Sequence, residues 1–96
     1  MVVTMTLFEA IRDLDSLPEE YTLYAAEPWT ADSQAITAYE PDTGGLPVEA
    51  QELGLQYFLE VFIAREFLED WIRSLDAEPT LQQKYERLIQ YAINDA

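Results

Sequence analysis

Nineteen carboxylates in ninety-six residues are the only abundant reactive groups in this chain. Close pairs occur at Asp13-x-Asp15, Glu19-Glu20 and Glu69-Asp70, where two carboxylates could share a proton or a cation. At this density of acids such pairs arise without any demand from chemistry. A glycosidase pair would also need a substrate cleft, which a chain of this length seldom builds. No calcium loop of the D-x-[DN]-x-[DN]-G-x5-E type occurs. The pairs therefore read as solvated surface.

Other reactive groups are scarce. There is no cysteine, which excludes disulfides, thiolate catalysis and Cys-ligated metals. There is no histidine, the commonest general base near neutral pH and the commonest transition-metal ligand. Ser16, Ser33 and Ser74 thus have no imidazole to activate them, and Lys84 falls on the polar side of a predicted helix. Thr43-Gly44-Gly45 is one turn without the Lys-Ser/Thr that completes a phosphate loop. The expectation is a protein without enzymatic activity, cofactor or bound metal.

Charge is distributed unevenly. Between Arg12 and Arg65 lie fifty-two residues without a lysine or arginine, eleven of them acidic, and the net charge is −14. Such a stretch repels itself, and its field attracts basic partners. Direct nucleic-acid binding is disfavoured, because it relies on Lys and Arg to neutralise phosphates, and so is an anionic membrane surface. Within this stretch aromatics sit among acids: Tyr21 and Tyr24 near Glu19, Glu20 and Glu27, Trp29 near Asp32, and Tyr39 beside Glu40 and Asp42. Aromatic anchors ringed by carboxylates suit a basic protein, since they supply contact area and cation–π attraction for Arg. Trp29, Asp32, Glu40, Asp42, Glu49 and Glu52 are the candidate partner-binding residues. Tyr24 and Tyr39 read as half-buried strand residues and Trp71 as core.

The elements that position these groups follow from local patterns. Thr6 and Glu9 have capping-box spacing, and Leu7, Phe8, Ile11 and Leu14 form one apolar stripe of a helix that Pro18 ends. Residues 21–26 and 34–39 have strand chemistry and stop at Pro28 and Pro41, which predicts an antiparallel hairpin with a long turn. Asp42-Thr43-Gly44-Gly45 is a turn, and Pro47 opens a short helical turn through Glu52 that Gly54 closes. Leu55, Tyr57, Leu59, Val61 and Ile63 alternate as a buried strand would, while Leu59, Phe62, Ile63, Phe67, Trp71 and Leu75 recur at helical spacing. This segment reads as a central strand at about 55–60 running into a helix at about 62–75, where Arg65 and Glu69 stand four apart. Thr80 caps a last helix over 81–94 with Leu81, Tyr85, Leu88, Ile89 and Ala92 inward. The predicted fold class is α+β: one domain over 1–96, a small antiparallel sheet of two or three strands, with an N-terminal helix and two C-terminal helices packed on it.

Met1 to Thr6 lacks the basic and apolar regions of a secretory signal, and the most apolar window, Leu55 to Ala64, is too short to span a membrane. A cytoplasmic location is expected. Pro28-Trp29-Thr30-Ala31-Asp32-Ser33, Tyr57-Phe58-Leu59-Glu60-Val61, Glu66-Phe67-Leu68-Glu69-Asp70-Trp71 and Tyr91-Ala92-Ile93-Asn94-Asp95-Ala96 resemble a family of small acidic bacterial cytoplasmic proteins with no assigned function. The resemblance implies a single bacterial domain and supplies no site residues.

The functional expectation is an acidic interaction module that binds a basic protein, as immunity proteins and inhibitors do. The alternatives are a nucleic-acid mimic that inhibits a DNA- or RNA-binding protein, and a small-ligand domain built on the Trp29 loop. Acidity serving only solubility is a further reading. The apolar 55–63 segment could also seal a homodimer.

Overall fold

In a computed structural model of the protein the described residues are 4–95. The leader reading at Met1-Val2-Val3, and the last residue of the Tyr91–Ala96 string, lie outside them. Met5–Thr6 forms a two-residue strand, β1, and Thr6 then caps helix α1, Leu7–Arg12. The capping box is complete: the Glu9 N–H donates to Thr6 Oγ1 at 3.1 Å, and the Thr6 N–H donates to Glu9 Oε1 at 2.9 Å. Two more donors of the first turn, Leu7 and Phe8, give their N–H groups to the carbonyls of Ser33 and Ala31 at 2.8 and 2.9 Å. The helix start is thereby satisfied and tied to the loop that carries Trp29.

The expected hairpin forms from β2, Thr22–Ala25, and β3, Gln34–Ala38. Helix α2, Val48–Leu53, begins after Pro47 and ends at Gly54, whose φ of 72° is the left-handed cap that glycine adopts without a Cβ penalty. Strand β4, Gln56–Glu60, leads directly into α3, Val61–Arg73, and α4 covers Leu81–Asp95. Thr80 and Gln83 close a second capping box at the start of α4, with distances of 2.8 and 3.1 Å.

The class is α+β, but among the described residues the sheet has four strands, ordered β1-β3-β2-β4 and antiparallel throughout, with four helices around it. The expectation of two or three strands missed β1. That strand exists only because Met5 and Thr6 meet Ala35 and Gln34.

Both faces of the sheet are covered. Leu23, Ala25 and Ala35 face the main core with residues of α1, α3 and α4. Tyr24 and Ile36 face the other way, onto Ala50 and Leu55.

Three expectations about the C-terminal half are corrected. Strand β4 lies at the sheet edge rather than its centre. It also carries a bulge: Leu59 pairs with Leu23 and Tyr57 with Tyr24, leaving Phe58 as the extra residue. Phe58 and Leu59 consequently both enter the main core, while Tyr57 is exposed, against the simple alternation. The inward face of α3 is Val61, Ala64 and Leu68; Phe62 and Leu75 are exposed, and Trp71 is a half-buried residue at the rim of the core. Most apolar side chains of 55–63 are thus buried within the chain itself.

Arg65 does not pair with Glu69. Its guanidinium turns to the 3-10 turn at Leu14–Ser16 and donates to the carbonyls of Leu14 at 3.1 Å, Asp15 at 2.8 Å, and Leu17, with Glu19 Oε2 at 3.8 Å. The short-range helix pair yields to a charge-assisted tie between α3 and the end of the first helical segment.

Candidate functional site: two acidic surfaces on opposite faces of the sheet

The six candidate residues divide into two groups. Trp29 and Asp32 lie on the β2–β3 connection, which packs on the main core. Glu40, Asp42, Glu49 and Glu52 lie on the β3–α2 connection and on α2, which covers the opposite face of the sheet.

Local hydrogen bonds fix the first group. The Trp29 indole N–H donates to the Ala25 carbonyl at 3.2 Å, and its ring stands edge-on to Phe58 with centroids 4.9 Å apart. Ser33, almost fully buried, accepts from the Thr30 N–H at 2.9 Å through its hydroxyl, which donates to the Pro28 carbonyl at 3.2 Å. Trp29 is therefore half-buried and held, not a free loop residue. Trp29 also borders an open groove of about 690 Å³ between this loop and α4, lined by Trp29, Asp32, Tyr85, Glu86, Ile89 and Ile93 among others.

The second group projects from irregular backbone. Gly44 and Gly45, with φ of 79° and 77°, turn the chain between Asp42 and Leu46. Tyr39 lies beyond the end of β3, correcting the half-buried strand reading: it is 61% exposed, with its ring edge-on to Tyr21 at 4.6 Å. On α2 only Ala50 is fully inward, so Val48 at 66% and Leu53 at 39% exposure face solvent beside Glu49 and Glu52. Glu49 joins two neighbouring hollows, one of about 340 Å³ with Tyr21, Tyr39 and Pro47, the other of about 250 Å³ with Thr4, Glu52 and Leu53. Tyr39, Val48 and Leu53 were not among the sequence candidates. For Val48 and Leu53 the signal was present: a six-residue helix with one inward alanine must leave its larger apolar residues outside.

Electrostatically the two surfaces are uncompensated. None of Asp32, Glu40, Asp42, Glu49 and Glu52 forms an ion pair among the described residues. The five basic residues are already engaged. Arg12 holds Asp13 at 2.8 Å, and Arg65 binds the carbonyls described above. Arg73 bridges Glu69 and Asp70, Lys84 meets Glu78 at 3.3 Å, and Arg87 lies 4.9 Å over the Phe67 ring. The Arg12 hydrogen bond holds the Asp13 carboxyl below its ordinary range.

Tyr24, beneath the second surface, is fully buried and its hydroxyl has no hydrogen-bond partner of good geometry. Burial, and then the Glu40 carboxylate, push its phenol above the ordinary value; Thr22 acts weakly the other way.

Among the described residues no three acidic side chains converge to hold a metal ion, and no helix is long and apolar enough to cross a membrane. No protein-family model, curated protein or solved structure matches the chain.

Proposed function

We propose that this protein is a non-enzymatic interaction module that binds a basic protein partner through the β3–α2 surface. The observation that carries the reading is the exposure of Tyr39, Val48 and Leu53 among Glu40, Asp42, Glu49 and Glu52, none of which forms an ion pair among the described residues. Solvation alone explains the acids but not the apolar residues between them. A contact surface needs both: carboxylates steer a basic partner, and apolar side chains supply area that resists dissociation. Tyr39 is placed to stack on an arginine. A partner whose own work requires a basic surface, such as one that grips phosphate, would be occluded while bound. That is the inhibitor or immunity mode of action, and it suits a cytoplasmic protein.

The test compares capture from source-cell lysate by the native chain and by the quadruple variant Glu40→Lys, Asp42→Lys, Glu49→Lys, Glu52→Lys. All four positions lie away from the main core, so the fold should persist, and circular dichroism checks it. A basic protein retained by the native chain at low salt, released at intermediate salt and not retained by the variant is the expected result. Equal capture by both, or none by either, refutes the reading.

A further inference from the structure

The groove between the Trp29 loop and α4 lies on the other face of the sheet from the proposed contact surface, and nothing in that surface uses it. We infer that it is a docking site for a basic amphipathic helix, the second recognition element of the same partner; this inference rests on the proposed binding function.

Three observations support that occupant. The floor is an apolar stripe: Tyr85, Ile89 and Ile93 stand four apart on α4, with Trp29 as the facing wall. From Tyr85 to Ile93 the stripe runs about 12 Å, two turns of helix. Ile93 is 57% exposed although it continues the inward stripe of α4, so the stripe extends beyond what the protein's own core uses. The walls are also preorganised. Trp29 is held by Ala25 and Phe58, the loop by Ser33, and Tyr85 by an edge-on contact with Phe8 at 6.0 Å. An occupant pays little to order them.

The third observation is charge. The rim acids are Asp32 on the loop and Glu86 on α4. Among the described residues Asp32 has no ion pair, and Glu86 accepts only a 3.4 Å hydrogen bond from Gln82 Nε2. An occupant with an apolar stripe and lysine or arginine on its flanks matches floor and rim together. A second copy of this chain does not, because its five cations are already engaged and two chains of charge −14 repel. A small ligand is disfavoured by the openness of the groove, since such sites enclose most of the ligand surface.

The probe is a synthetic helical peptide of about fourteen residues, with leucine at i, i+3, i+4 and i+7 spacing and lysine elsewhere. A scrambled peptide of identical composition is the control. Binding is measured by calorimetry and by amide chemical-shift mapping on the whole chain. The expected result is that the ordered peptide binds at least tenfold more tightly than the scrambled one, with shifts centred on 29–32 and 85–94. Ile93→Ser should weaken it about tenfold through lost apolar contact. The pair Asp32→Lys, Glu86→Lys should weaken it similarly at low salt, and less as salt rises. All three positions are exposed, so the fold is not at risk. Equal binding of the two peptides, no binding of the ordered one, or shifts confined to 39–54 would overturn the inference. A captured partner that the quadruple variant loses and Ile93→Ser retains would overturn it too, while leaving the binding function standing.

Discussion

Replacing Arg65 by methionine isolates the contact on which the first helical segment depends. The guanidinium, about one-fifth exposed, donates to three carbonyls that end the 3-10 turn, and methionine keeps most of its apolar stem. The three bonds are not equal. The Asp15 carbonyl lies at the surface, where water replaces the lost donor. The Leu14 carbonyl retains the Leu17 N–H at 3.2 Å. The Leu17 carbonyl is partly buried and has no other donor described. A hydrogen bond to a charged group contributes about 1.5–3 kcal/mol, and one full bond plus fractions of two others gives a loss of roughly 2–4 kcal/mol. For a domain of this size that lowers Tm by roughly 10–25 °C. Glu19, 3.8 Å away and largely exposed, contributes at most about 1 kcal/mol, so Glu19→Gln should be nearly silent. Arg65→Lys should recover only part of the loss, because one ammonium cannot span three carbonyls. Urea titration of the four proteins tests this order. A methionine variant within about 0.5 kcal/mol of the native protein, or a glutamine variant equally damaging, would refute the reasoning.

Two other perturbations have definite outcomes. Tyr24→Phe deletes a buried hydroxyl that has no hydrogen-bond partner of good geometry among the described residues, so denaturant melts at neutral pH should show no loss and a gain of up to about 1 kcal/mol. The native phenol titrates above its ordinary value while the unfolded one does not, so the folded state keeps a proton that the unfolded chain releases. Stability therefore falls from about pH 10 upward until the raised value is passed, and Tyr24→Phe should remove that part of the decline. Thr80→Ala opens the capping box of α4 and should cost about 1 kcal/mol in the same melts.

What the sequence disclosed was whatever a few neighbouring residues decide. The Thr6–Glu9 box, the Pro47 start and Gly54 stop of α2, and the Thr80 cap are local contests, and each resolved as its residue types dictate. What it concealed was decided at long range. Strand β1 is two residues with no periodicity, defined by its partners on β3. The bulge at Phe58 inserts one residue into β4 and reverses the faces before it, so period-two reasoning placed Tyr57 inside. Arg65 left its helical neighbour for carbonyls some fifty positions away. The candidate acids were legible as an uncompensated stretch. Their separation onto opposite faces of the sheet was not, because it follows from the alternation of Leu23 and Tyr24 in β2 and from which helix covers each side.

The central claim is that unpaired acids and exposed apolar residues on the β3–α2 surface act together on a basic partner. The most direct measurement is stopped-flow association of the captured partner with the native chain, the quadruple lysine variant, and Tyr39→Ala with Val48→Ser, across a range of ionic strength. The account predicts a native association rate that falls at least tenfold from about 0.02 to 0.3 M salt, and a lysine variant that is slow and nearly salt-independent. The apolar double variant should associate at the native rate and dissociate faster. Identical, salt-insensitive association rates for all three proteins would contradict it.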